Sequence, residues 1–413
     1  MSTALLTDRY ELTMLDAALA SGLADRRAVF EVFARRLPEG RRFGVVAGQG
    51  RLAGLLPELV YGPGEIAAVG DVVRPQTRDW LTGRRLDLEI TAYPEGSTYA
   101  PDSPVLTVEG RFGEGLLLET LVLSVLNADS AIAAAAARMI LVAGSRPLIE
   151  MGSRRTHEQA AVSAARAAYI AGFRSTSNLE AGRRHGIPTT GTAAHAFVLA
   201  HASERAAFTA QVAAQGVGTT LLVDTYDTDA GTRTAVDVAG CQLGAVRLDS
   251  GDPRTEVPRT RALLDSLGAT GTRIVVTGDL DECAIADLAD LPVDRYGVGT
   301  SLVTGSGAPT AGFVYKLVAI EGDDGALRAV AKTSPGKATH GGRKWAWRTA
   351  DGREVLRRTP DPLPGGTALQ APLTTHDDVA GARANCATAL AALPGSARRL
   401  DPGEPAWTAE LED

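Results

Sequence analysis

The chain reads as an α/β protein: a parallel α/β barrel or open doubly wound sheet in the middle, with a second α+β domain assembled from both chain ends. Two patterns carry that reading. From about residue 117 to 312, short apolar runs alternate with helical stretches: PLIEM (147–151), IPTTGT (187–192), TTLLVDTYD (219–227), LGAVRLDSGD (243–252), RIVVTGDL (273–280) and RYGVGTS (295–301). Repeated βα units with parallel strands have this appearance. Outside that stretch the alternation is replaced by hairpin-like runs at both ends, so 1–116 and 313–413 are assigned to one domain and 117–312 to the parallel sheet.

The N-terminal part opens with Thr7-Asp8 as a helix N-cap, followed by Leu12, Leu15, Ala18 and Leu19 at the spacing of one buried helical face. A second helix is expected near 47–59. LEITAY and VLTVEG, separated by Pro94-Glu95-Gly96 and Ala100-Pro101-Asp102, predict a small antiparallel sheet over 87–111. After residue 312, FVYKLVAIEG and ALRAVAKTS predict further strands, and 378–393 an Ala-rich helix.

Composition narrows the function. Across 413 residues, 45% are hydrophobic and 22% charged, which suits a globular chain with ample core and argues against disorder. The net charge of −7 supplies no basic face for nucleic acid, although a small anionic substrate needs only a few local arginines. Cys241, Cys283 and Cys386 are odd in number and without C-x-x-C spacing, so neither a disulfide framework nor a zinc site is indicated. The N-terminal MSTALLTDRYELTM lacks a basic region followed by an apolar one, and the most apolar stretch, 131–142, is short and broken by Arg138. We therefore expect a cytoplasmic protein with no membrane partner.

The ends of the predicted strands are the informative positions. PLIEM runs into Gly152-Ser153-Arg154-Arg155, IPTTGT toward His195, LLVD into Thr225-Tyr226-Asp227, AVRLD into Ser250-Gly251-Asp252, IVVTG into Asp279 and YGVG into Thr300. In parallel α/β folds this edge gathers loops and helix N-termini around the ligand. Helix capping accounts for part of the pattern, since Ser, Asp, Thr and Gly are favoured there. Arg154 or Arg155, with Arg247, suits phosphate and carboxylate groups through the guanidinium fork. A structural alternative for Arg247 is a salt bridge to Asp249 or Asp252. Gly278-Asp279 and Gly297-Val298-Gly299-Thr300 offer backbone N–H groups to an anion. His195, in the first turn of an apolar helix, is placed to accept a phosphoryl group, against the commoner case of a structural histidine.

TDRYELTM (7–14), FEVFARRLP (30–38), EMGSRR (150–155), STSN (175–178), GTAAHAF (191–197), VRLDSGD (246–252), GVGTSLVT (297–304) and VYKL (314–317) follow one another in an order that resembles the nicotinate phosphoribosyltransferases. The resemblance spans nearly the whole chain. It implies the type II phosphoribosyltransferase fold, an irregular parallel α/β barrel. It also implies formation of nicotinate mononucleotide and pyrophosphate from nicotinate and phosphoribosyl pyrophosphate, in NAD biosynthesis and salvage, with Mg²⁺ and with ATP as co-substrate. His195 would be the phosphohistidine, with Thr192 beside the substrate. Arg154 would lie near the phosphates, Arg247 near the pyridine carboxylate and Asp249 near the ribose hydroxyls. Gly278, Asp279, Gly299 and Thr300 would form phosphate loops.

Tyr10 matches a tyrosine that reaches the pyridine ring from the neighbouring subunit, implying a homodimer with shared active sites. The catalytic set is thus His195, Asp249 and Arg247. The metal ligands are left open. An acid near the position of Asn178 marks nicotinamide-using relatives, so the uncharged Asn178 with Arg247 favours the carboxylate substrate. The chain departs from the family pattern at Met151, where an aromatic residue is common, and in SPGKATHGGRKWAWR, where the roles of Lys337 and Lys344 are open.

Three rivals are weaker. Quinolinate-using enzymes are shorter and have no use for His195. A decayed, non-catalytic binding protein would lack His195, Arg247 or Asp249. An aldolase or isomerase barrel would carry a Schiff-base lysine or an acid–base pair on its strands, whereas Lys316 lies past the last one.

Overall fold

The computed structural model describes residues 2–333, 339–374 and 376–412, so Lys337 lies outside the described residues. The chain divides into two compact units, one formed by Met1–Ala134 with Ala308–Asp413 and the other by Ala135–Gly307. The division falls inside the helix Glu119–Ala143, not at 116/117, because that Ala-rich run contains no helix breaker. This helix is long and apolar enough to cross a bilayer, yet it is largely buried within the protein. Arg138, the charge interrupting it, pairs with Glu282 at 2.9 Å, both side chains being buried.

In the first unit the N-terminal strand Arg27–Ala34 lies between two strands from distant parts of the chain, Phe313–Glu321 and Leu106–Arg111, antiparallel to both. The sheet continues to Leu88–Ala92 and Ala371–Pro372 on one side and Leu327–Ala329 on the other. Seven of the eight residues of Arg27–Ala34 are buried, which explains its near-continuous apolar pattern. Of the run ALRAVAKTS, among its described residues only Leu327–Ala329 forms a strand, and its three residues are all exposed. The first helix, Arg9–Ala20, begins after Asp8, but neither Thr7 nor Asp8 caps it through a side chain; the Thr7 hydroxyl donates instead to the buried Glu11 carboxylate.

Glu31, on the central strand and fully buried, meets the Lys344 ammonium at 2.7 Å. The ammonium also donates to the carbonyls of His340 and Gly342, and the Glu31 carboxylate accepts the Lys344 backbone N–H. Lys344 therefore ties a C-terminal loop to the N-terminal strand, which settles its place in the fold as internal.

The second unit is a ring of parallel strands with one gap. Leu148–Glu150, Ser175–Thr176, Thr220–Leu222, Ala245–Leu248, Arg273–Val276 and Arg295–Val298 stand in the order 175–176, 148–150, 295–298, 273–276, 245–248, 220–222. Its first strand pairs with its last, the register joining Leu148 to Tyr296 and Glu150 to Val298, as ring closure requires. The gap lies between Ser175–Thr176 and Thr220–Leu222. The strand expected at IPTTGT shrinks there to one parallel bridge, Thr176 to Thr189: Thr176 N–H donates to Pro188 and Thr190 N–H to Thr176. Pro188 has no N–H to extend the ladder. The segment 191–194 runs free of the sheet, so this is a curled, incompletely closed barrel.

Because the Glu31–Lys344 pair is buried, removing one partner strands the other charge. Lys344→Met is expected to destabilise this unit by about 3–5 kcal/mol. Denaturation followed by tryptophan fluorescence checks it, since Trp80, Trp345, Trp347 and Trp407 all belong to this unit; a loss under about 1 kcal/mol would show that the pair is dispensable.

Candidate active site

The strand ends of the parallel sheet part into two groups. Asp227, Asp252 and Asn178 are helix caps: their side chains accept from Ala230 N at 2.8 Å, Arg254 N at 3.2 Å and Ala181 N at 2.9 Å. The capping explanation of the sequence pattern holds for them. A second group meets at a cavity of about 380 Å³ lined by Met151, Ser153, Arg154, Ser177, the 191–195 segment, Leu222, Arg247 and Asp249. That volume suits a small organic substrate. A cavity of about 290 Å³ in the other unit is lined by Glu95 and Asp378 and by no Arg or Lys, so it lacks the groups that would hold a polyanion.

Arg247 organises the floor of the site. Its Nε donates to Thr277 Oγ1 at 2.9 Å, Nη1 to Thr192 Oγ1 at 2.9 Å and to the Ala193 carbonyl at 3.4 Å, and Nη2 to Asp249 Oδ1 at 2.6 Å. The alternative partner, Asp252, is occupied as a cap. Of the five guanidinium N–H groups, one on Nη2 stays uncommitted, enough for a single bond to a substrate carboxylate but not for a bidentate clasp.

Asp249 also accepts from the Thr277 hydroxyl. Burial opposes its ionisation, but the Thr277 hydroxyl, the Arg247 charge and hydrogen bond, and His195 together hold its carboxyl below the usual range. Its backbone N–H and the Ser250 hydroxyl both reach Asp224 Oδ2 at 2.7 Å, which sets the angle of the turn after the strand.

His195 is the first residue of the helix His195–Leu199. Its ring is held from two sides, Nδ1 at 3.1 Å from Thr225 Oγ1 and Nε2 at 3.8 Å from Asp249 Oδ2. The ring stays part-exposed. Arg154 is exposed at the cavity wall and makes no ion pair among the described residues, leaving its fork available to an anion.

Several expected residues lie elsewhere. Asn178 caps its helix with Oδ1 and donates Nδ2 to Ser153 Oγ at 3.1 Å, while its neighbour Ser177 lines the cavity. Gly278, Asp279, Gly299 and Thr300 are not among the lining residues. Gly278 and Asp279 do form a left-handed turn, with φ of 105° and 46°, and a Cβ at Gly278 would sit 2.6 Å from the Asp249 carbonyl. Glycine is needed there for both reasons. Tyr10 belongs to the other unit; it is exposed, and partial desolvation followed by the charge of Glu119 pushes its phenol up to about 12.

Sequence reasoning missed Ser153, Ser177 and Leu222 as lining residues, and Thr225 and Thr277 as the hydroxyls that fix His195 and Asp249. It also missed Glu204, whose carboxyl is pushed up to about 7 by burial and by Asp227 and Asp224. Only the strand-end position signalled Thr225 and Thr277; nothing local marked Glu204.

The depressed Asp249 carboxyl gives a signed pH effect. A lowered folded-state value stabilises the fold fully above the unfolded-chain value, about 3.9, and that contribution is lost as pH falls through the folded value. Asp249→Asn is therefore expected to unfold more easily than wild type at neutral pH, with the difference closing below about pH 4. A difference that persists unchanged in acid would show that the charge of Asp249 is not what matters.

With the geometry in place, comparison with known proteins gives one answer. A family model for the nicotinate phosphoribosyltransferase (NAPRTase) N-terminal domain matches residues 5–127. A nicotinate phosphoribosyltransferase of Mycobacterium tuberculosis is 53% identical over 424 residues, covering 97% of this chain and 94% of its own. One from Bacillus subtilis is 36% identical, covering 84% and 73%. The crystal structure of human nicotinic acid phosphoribosyltransferase aligns with a TM-score of 0.82 at 26% identity, over 98% of this chain and 97% of that one. Identity above one half along nearly the whole length, with the same fold, means that this chain belongs to the nicotinate phosphoribosyltransferase family.

Proposed function

We propose that this nicotinate phosphoribosyltransferase of NAD biosynthesis couples nucleotide formation to ATP through a phosphohistidine at His195. The observation that carries the reading is the meeting of His195, Asp249, Arg247 and Arg154 around one cavity at the C-terminal ends of parallel strands. The nicotinate ring nitrogen attacks C1 of phosphoribosyl pyrophosphate, and the C1–O bond breaks with its electron pair leaving on pyrophosphate. Positive charge grows on the sugar as the bond breaks, and the ionised Asp249 is the group that stabilises it. Arg154 receives the phosphates. Arg247, through its uncommitted N–H, takes the pyridine carboxylate, and the absence of an acid at Ser177 or Asn178 leaves that carboxylate unopposed. The Gly278-Asp279 turn and the 299–300 turn present backbone N–H groups to the phosphates.

ATP enters by attack of an imidazole nitrogen of His195 on its γ-phosphate with release of ADP, and water later breaks the P–N bond, releasing inorganic phosphate and the free imidazole; Thr225 keeps the ring from turning away. Mg²⁺ neutralises pyrophosphate charge when bound, and it takes few protein ligands because it keeps waters and phosphate oxygens. The chain fits that mode. No group of three metal-ligating side chains forms among the described residues, while Asp224 Oδ1 is buried without a hydrogen-bond partner next to the Asp249 turn. The enzyme acts in the cytoplasm as a homodimer in which Tyr10 of each copy completes the site of the other. Leu6, Tyr10 and Met14 are exposed four residues apart, an apolar row that a second copy would cover.

Two experiments check this. Product formation from labelled nicotinate or nicotinamide, with phosphoribosyl pyrophosphate and Mg²⁺, is measured with and without ATP for wild type and His195→Ala. Turnover of nicotinate alone is expected, with an ATP stimulation that the variant loses; preference for nicotinamide, or stimulation surviving in His195→Ala, would sink the corresponding part. Mixing Tyr10→Ala with His195→Ala is expected to restore activity that neither has alone, and no restoration would argue against sites shared between copies.

A further inference from the structure

Glu150 ends the strand Leu148–Glu150 and is fully buried, yet no Arg, Lys or His pairs with it among the described residues. Both of its oxygens are used by neutral donors, Oε1 by the Gly152 N–H and Oε2 by the Thr176 hydroxyl. These donors belong to different strand ends. Gly152 opens the turn that carries Ser153 and Arg154, a turn closed by Arg155 N–H donating to the Gly152 carbonyl at 2.8 Å. Thr176 opens the turn that carries Ser177, and its Oγ1 accepts the Asn178 N–H at 2.9 Å. Asn178 Nδ2 then donates back to Ser153 Oγ, closing a loop of hydrogen bonds around the two turns. Gly152 is confined as well, since a Cβ there would sit 2.2 Å from Val303 Cγ1 and 3.1 Å from Glu150 Oε1.

An unpaired buried carboxylate is costly, and burial raises its carboxyl against the two donors that lower it. The carboxylate accepts at both oxygens, whereas a glutamine accepts at one and donates at the other, so the Thr176 hydroxyl would have to turn from donor to acceptor and the bond as it stands would be lost. We propose that Glu150 is the positioning residue for phosphoribosyl pyrophosphate, its carboxylate locking the Ser153–Arg154 turn to the Ser177 turn in the geometry that the phosphates need. This rests on the reaction proposed above, although Glu150 itself lines no part of the cavity.

The test compares Glu150→Gln, Thr176→Val and Thr176→Ser with wild type, by calorimetric binding of Mg²⁺–phosphoribosyl pyrophosphate and by steady-state kinetics. Glu150→Gln and Thr176→Val are expected to weaken binding about tenfold or more, with KM for that substrate rising in step and kcat changing less than about threefold, since loss of one hydrogen bond to a charged ligand carries a binding penalty of about this size. Thr176→Ser, which keeps the hydroxyl, is expected to bind as wild type does. Binding within about twofold of wild type in Thr176→Val, or Thr176→Ser as weak as Thr176→Val, would overturn the proposal. Should Glu150→Gln fail to fold, the two threonine variants decide alone. Because the readout is binding, a wild type that binds this substrate but does not convert nicotinate overturns the proposed reaction and leaves the positioning role measurable.

Discussion

The hydrogen bonds of Arg247 to Asp249, Thr277 and Thr192 are the interaction on which the site depends. Each joins a different piece of chain: the end of its own strand, the end of the neighbouring strand Arg273–Val276, and the 191–195 segment that no sheet holds. Charge-assisted bonds in a part-buried setting are stronger than neutral ones, and this knot replaces the missing backbone ladder at the gap in the barrel. It orients Asp249 and keeps it ionised, and through Thr192 and Ala193 it fixes the approach to His195.

The incomplete closure has a functional reading. A closed ring with paired strands all round would carry the 190–195 segment in register and bury the residues that follow it. Pairing instead stops after the single Thr176–Thr189 bridge, so His195 starts its helix at an open seam and stays accessible. Closure elsewhere is complete, first strand to last, so the seam costs little rigidity on the side where Arg247 and Asp249 stand.

Buried ionised groups serve two different ends here. Glu31 and Lys344 neutralise one another inside an antiparallel sheet and bind chain ends together. Arg138 and Glu282 likewise neutralise one another, on a largely apolar buried helix. Glu150 has neutral partners only, and its cost is offset by the order it imposes on two turns beside the cavity.

Residue order alone determined the βα alternation, the identity of the strand ends and the chemical groups available there, because period and turn chemistry are local. His195, Arg247 and Arg154 were legible on that basis, whereas Thr192 and the role of Asp249 came only from the resemblance to the nicotinate phosphoribosyltransferases. What the strand ends do was not legible: Asp227, Asp252 and Asn178 stand at strand ends as Asp224 and Asp249 do, yet the first three cap helices, Asp249 lines the cavity and Asp224 holds the turn after it. Likewise Ser177 and Asn178 are adjacent, and only the turn geometry decides which of them faces the cavity. The tertiary structure made those choices because hydrogen bonds between strands distant in sequence, such as Arg247 to Thr277 and Glu150 to Thr176, set the direction of each side chain, and no local pattern encodes a partner so far away along the chain.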